Sequence, residues 1–136
     1  MFRKSCILIM LGISLSTIAA TAPSSALKWK NQSSREVSLH KQDDVLELQV
    51  RKQGKFDGAA AAVLPAVPQE TMVFSGKVKS GKTGIAYLQV KLYHDGKELN
   101  RFSSNCNREQ EEELHVQFDP RGADRVELLC RTTAEA

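Results

Sequence analysis

Tyr87, Gln89, Lys91 and Tyr93 recur at every second position of Gly84 to His94, so on an extended strand all four side chains project from one face. That mixture suits a sugar: a pyranose packs its apolar C–H face on an aromatic ring, and its hydroxyl rim pairs with amides and cations. If neighbouring strands add Glu47, Gln49, Arg51, His115 and Gln117, the same face carries a ladder of hydrogen-bonding groups. The candidate ligand-binding set is therefore Tyr87 and Tyr93 for stacking, with Gln89, Lys91, Gln49, Arg51 and His115 for hydrogen bonding. The plainer alternative is a solvent-facing sheet with two amphipathic tyrosines.

No catalytic set competes with this face. The carboxylates sit in turns or on polar strand faces, no pair of them stands out as a glycosidase dyad, and His40, His94 and His115 are scattered. There is no Gly-x-Ser-x-Gly elbow, and the chain is read as noncatalytic, with a small hydrolase as the lesser alternative. Gly76 to Thr83 matches the phosphate-loop pattern G-x-x-x-x-G-K-[ST] literally. A phosphate loop must open a helix whose amides hold the phosphates, yet the residues that follow are the best alternating strand in the chain, so no nucleotide is expected. Trp29, the only tryptophan, reads as a core plug.

Arg3 and Lys4, the apolar run Cys6 to Ala20 and the small residues Ser24-Ser25-Ala26 have the order of a signal peptide. Cleavage after Ala26 leaves 110 of the 136 residues and divides the chain into a leader, 1–26, and one domain, 27–136. Nothing after residue 27 is apolar enough to span a membrane, so the protein is expected to be exported, to the periplasm or the medium. The formal charge of +3 falls to +1 without Arg3 and Lys4, which argues against a general nucleic-acid surface. Two cysteines remain, Cys106 and Cys130, and an even count in an oxidising compartment predicts a disulfide between them. Zinc is the weaker rival, because His94 and His115 lack ligand spacing with them; no metal site is assigned.

Period-two alternation predicts strands at Asp44 to Arg51, Gly84 to His94, Glu112 to Phe118 and Arg125 to Arg131. Shorter ones are expected at Glu36 to His40, Ala59 to Leu64, Thr71 to Lys79 and Leu99 to Ser104. That makes about eight antiparallel strands, an all-β sandwich or barrel. Asp95-Gly96 is a two-residue hairpin turn, and Asp119-Pro120-Arg121-Gly122 a second turn. The Ala59 to Ala62 tract is too short for a helix between Gly58 and Pro65, and as a strand its small side chains leave room for something above it.

Four stretches carry a family resemblance: Val45 to Val50 with Gly58 to Val63, Val67 to Lys79, Ala86 to Val90 with Asp95-Gly96-Lys97, and Leu114 to Phe118 with Ala123 to Leu128. In this order they resemble the jelly-roll carbohydrate-binding modules of galactose-binding-like fold, the cellulase- and xylanase-associated type. The resemblance implies a jelly-roll β-sandwich that binds a glycan without cofactor or catalysis. It also implies the structural calcium that many relatives carry, although no acidic loop of oxygen ligands is evident here. The chain departs from the pattern in ending at Thr132 to Ala136 where the family adds a Gly-rich turn and a strand, and in having few aromatics. A missing last strand favours an alternative: an envelope structural or interaction sandwich, completed by a strand from another exported protein.

Overall fold

A computed structural model of the chain describes residues 6–16, 21–23, 27–32, 37–42, 45–50, 57–80 and 84–134. Among them are eleven strands and no helix: β1 (Cys6–Ser16), β2 (Thr21–Pro23), β3 (Lys30–Asn31), β4 (Val37–Gln42), β5 (Val45–Val50), β6 (Asp57–Val63), β7 (Met72–Lys79), β8 (Gly84–His94), β9 (Lys97–Ser103), β10 (Glu112–Phe118) and β11 (Arg125–Ala134). They form two antiparallel sheets. One runs β10-β7-β1-β5-β4 with β2 on β1, and the other β3-β6-β11-β8-β9.

Alternation sets which residues each strand turns inward. On β10, Leu114, Val116 and Phe118 are buried while Glu113, His115 and Gln117 are exposed; on β8, Ala86, Leu88 and Val90 are fully buried. The inward side chains of both sheets meet in one core, with Leu46, Leu48, Phe74, Val78, Leu114 and Val116 on one side and Ala60, Leu88, Val90, Val126, Leu128 and Cys130 on the other. Each such leucine, valine or phenylalanine contributes about 1.5–3 kcal/mol by leaving water, and a one-residue slip would turn a whole set outward, so burial fixes the register. Trp29 packs against this core, its ring stacked on Phe74 at 6.3 Å between centroids.

The turns follow the sequence. Asp95 (φ 51°) and Gly96 (φ 77°) make the two-residue turn from β8 to β9, both in the left-handed region that a type I′ hairpin needs. At the second turn the Ala123 amide donates to the Pro120 carbonyl at 3.0 Å, with Gly122 at φ 93°. The β9–β10 connection is tied down by Asn107, 1% exposed, whose Oδ1 accepts the Ser80 amide at 2.8 Å and whose Nδ2 donates to Glu112 at 3.0 Å and to the Gln110 carbonyl.

Three regions bear on the expectations, and two of them meet a different outcome. Cys6–Ser16, within the apolar run read as a leader, form strand β1, hydrogen-bonded to β5 on one side and β7 on the other; a continuous apolar run satisfies a leader and a sheet-interior strand equally. Cys106 and Cys130 are both free. Cys130 is turned into the core from β11 while Cys106 is exposed on the β9–β10 connection, so the even count did not make a pair. Thr132 and Thr133, expected beyond the last strand, continue β11, opposite Ala86 and Ile85 of β8.

Candidate functional site

The outer face of the five-stranded sheet is assembled by pairing across β11. Tyr87, Gln89, Lys91 and Tyr93 of β8 stand opposite Arg131, Leu129, Glu127 and Arg125. On their other side β9 supplies Ser103 opposite Gln89, Arg101 opposite Lys91 and Glu98 opposite Tyr93. Beyond β11 lie Ala59, Ala61 and Val63 of β6, and Lys30 of β3 stands opposite Ala61.

These side chains are in contact with one another. The guanidinium of Arg125 lies 5.0 Å from the Tyr93 ring centroid and that of Arg131 lies 5.9 Å from Tyr87, both within cation–π range. Gln89, only 4% exposed, accepts from Arg131 Nη1 at 3.0 Å and donates to Ser103 Oγ at 3.0 Å. Its amide is thereby committed, and it positions Arg131 instead of reaching outward. Glu127, also 4% exposed, accepts from Arg125 Nη2 at 3.1 Å and from Gln32 Nε2 at 3.4 Å. Burial, then the carboxylates of Glu127 and Glu98, push the Tyr93 hydroxyl above its usual 10.0, with Arg125 and Arg101 offsetting part of the effect.

A bulge places the last pair. Asn100 stands opposite Leu92 and Glu98 opposite Tyr93, which leaves Leu99 unmatched and 54% exposed. On a regular strand, residues three apart face opposite ways; the extra residue brings Glu98 and Arg101 to one face. There Arg101 forks onto Glu98, Nε to Oε1 at 2.9 Å and Nη2 to Oε2 at 3.0 Å, and the bond holds the Glu98 carboxyl below the usual carboxylate range.

The sequence-based set is divided by the fold. Tyr87, Gln89, Lys91 and Tyr93 do share a face, with Tyr87, Lys91 and Tyr93 partly exposed. Gln49 on β5 and His115 on β10 belong to the other sheet, and Arg51 lies outside the described residues. His115 is exposed, 3.8 Å from Glu113. The alternation of Arg125 to Arg131 already put Arg125, Glu127 and Arg131 on one face; what the sequence did not show is that β11 is the strand beside β8.

A groove lies beside this face. Between β3 and β11, above β6, Lys28, Lys30, Gln32, Ala61, Val63 and Arg125 line a hollow of about 280 Å³. It exists because Ala61 offers only a methyl group to the floor, the room that the alanine tract implied. The volume sits just below the roughly 300–1,000 Å³ of small-molecule clefts.

Other chemistry has simpler explanations. His94, Asp95 and Asp124 offer ligand atoms within 4.8 Å of one another, but all are exposed, and Asp124 Oδ2 accepts the Asp95 amide of the hairpin turn at 2.9 Å. The phosphate-loop match is strand as far as Lys79 and strand again from Gly84, and the Ser80 amide between them is given to Asn107. Comparison with protein-family models, with curated proteins and with solved structures finds no match.

Proposed function

We propose that the chain is an exported, noncatalytic carbohydrate-binding protein whose ligand lies along the outer face of β8 and β11. The observation that carries this reading is the pair of tyrosines, each steadied by a guanidinium, Tyr93 by Arg125 and Tyr87 by Arg131. Six residues of strand separate them, about 20 Å, too far for one pyranose, so the ligand is an oligosaccharide. Lys91 lies between them to meet its hydroxyls. The motif resemblance to jelly-roll carbohydrate-binding modules supports the same function, and the order of Arg3, Lys4, the apolar run and Ser24-Ser25-Ala26 supports export. The five-stranded sheet draws all its strands from Lys30 onward, so loss of residues 1–26 leaves its membership unchanged.

A glycan microarray followed by titration of any hit tests this. Replacing both Tyr87 and Tyr93 by Ala should abolish binding while the circular dichroism of the sheets is retained. A blank array from folded protein, or undiminished binding by the double variant, would overturn the assignment.

A second reading is favoured by one observation: β1, the segment that export would remove, is bonded along both edges. Without it β5 and β7 face each other across a strand-wide opening, which a strand from another exported protein could fill. Amide exchange separates the cases. Fast exchange along β5 and β7 in the processed chain, slowed when a partner binds, supports strand donation; slow exchange in the isolated processed chain excludes it.

A further inference from the structure

We propose that the groove between β3 and β11 recognises the carboxylate or sulfate of an acidic saccharide, extending the ligand track past Tyr93. This rests on the carbohydrate reading above and names the class of sugar.

The charge of the groove is built in by the core. Trp29 packs inward on Phe74, and alternation turns its neighbours Lys28 and Lys30 to the opposite side, where both line the hollow. Arg125 forms the facing wall, oriented by Glu127 at 3.1 Å and by the Tyr93 ring at 5.0 Å. Three cations thus meet one carboxylate, which is itself buried under Arg125 and Gln32. Among the described residues, Lys28 and Lys30 pair with no carboxylate.

The floor is apolar. Val63, 45% exposed, is one of two large hydrophobic residues left open to solvent among the described residues, and it lies in this groove beside Ala61. An apolar floor under a cationic rim matches a sugar ring that carries an acid group: the C–H face packs below and the acid meets the lysines. Arg125 joins the groove to the tyrosine track, because the same guanidinium lines one and stacks on the other. The excess of positive charge is local, three cations around one hollow with one buried carboxylate, which argues for a short, specific anion over nucleic acid.

The test is titration of the purified protein with galacturonate hexamers, sulfated galactose hexamers, neutral galactose hexamers and a single-stranded DNA oligonucleotide, each at two salt concentrations. At least one acidic hexamer should bind about tenfold or more tightly than the neutral one, and whichever does identifies the acid. The Lys28→Gln/Lys30→Gln variant changes exposed side chains and should keep the thermal midpoint, so it should erase that preference and leave the neutral affinity unchanged. Equal binding of neutral and acidic hexamers would overturn the groove assignment alone. The same follows if the preference survives in the variant, or if DNA competes as well as the acidic hexamer. Failure to bind any saccharide would overturn the carbohydrate reading as well.

Discussion

The outer faces of the two sheets are both polar by alternation, yet they are built differently. On the six-stranded sheet, Lys77, Lys79, Glu113, His115 and Gln117 stand exposed, and Glu113 and His115 come no closer than 3.8 Å. On the five-stranded sheet, Gln89, Glu127 and Leu129 are 4%, 4% and 2% exposed although they point away from the core. Larger neighbours cover them: arginines, tyrosines and the β3 residues form a second layer joined by cation–π contacts and hydrogen bonds. An outward direction therefore does not make a residue solvent-exposed, and the face that carries its own covered layer is the one with the features of a site.

The largest test of that difference is Leu129. As an ordinary outward leucine it would be dispensable, but at 2% exposure its truncation to Ala should cost about 2–3 kcal/mol, as in a core. Gln117→Ala, at an outward position of the other sheet, should stay within about 0.5 kcal/mol. Urea denaturation of the two variants checks both, and equal small losses would mean that the covered layer does not persist in solution.

The Arg125–Glu127 pair comes next. Truncating Arg125 to Ala leaves a carboxylate whose side chain is 5% exposed with Gln32 as its remaining hydrogen-bond donor among the described residues, a loss of about 2 kcal/mol. Glu113→Ala removes only an exposed contact to His115 and should cost less than about 0.5 kcal/mol. A double-mutant cycle with Glu127→Gln measures how much of the Arg125 loss belongs to the pair, and a coupling near zero would reduce it to a surface contact.

How far the sequence reaches can be judged strand by strand. Gly84 to His94 and Glu112 to Phe118 are read with the bounds the structure has, because one side of each is apolar and faces the core while the other is mostly polar and faces away from it, and a true period of two results. The Asp95-Gly96 turn is equally legible, since few other dipeptides accept two positive φ angles. The two-residue strand β3 has no period to detect, and β1 is a uniform apolar run whose composition serves a leader as well as a strand. The site is half legible for the same reason. Parity within a strand puts Tyr87 and Tyr93 together, but whether β5, β10 or β11 lies beside them is a long-range choice that alternation does not encode. Gln49 and His115 were therefore grouped with a sheet that does not contain their strands, while Arg125, Arg131 and Lys30 of that sheet were not singled out. The bulge at Leu99 is invisible for a related reason: one extra residue in a polar edge strand leaves no trace in its hydropathy.

The smallest effect concerns the hydroxyl of Tyr93, and its sign follows from the covered layer. Burial and the nearby Glu127 and Glu98 carboxylates disfavour the phenolate in the folded chain, so its folded pKa lies above the unfolded 10.0. Below that pH both states keep the proton and the contribution to stability is complete. As pH rises past 10.0 the unfolded chain loses its proton first, and stability falls until the folded phenol also ionises. Urea midpoints measured from pH 9 to pH 11.5, in the wild type and in Tyr93→Phe, isolate this small term from the general effect of alkali. The wild type should lose slightly more than the variant across the window. Identical slopes would mean that Tyr93 titrates as though in water, and that the layer beside Arg125 is open around it.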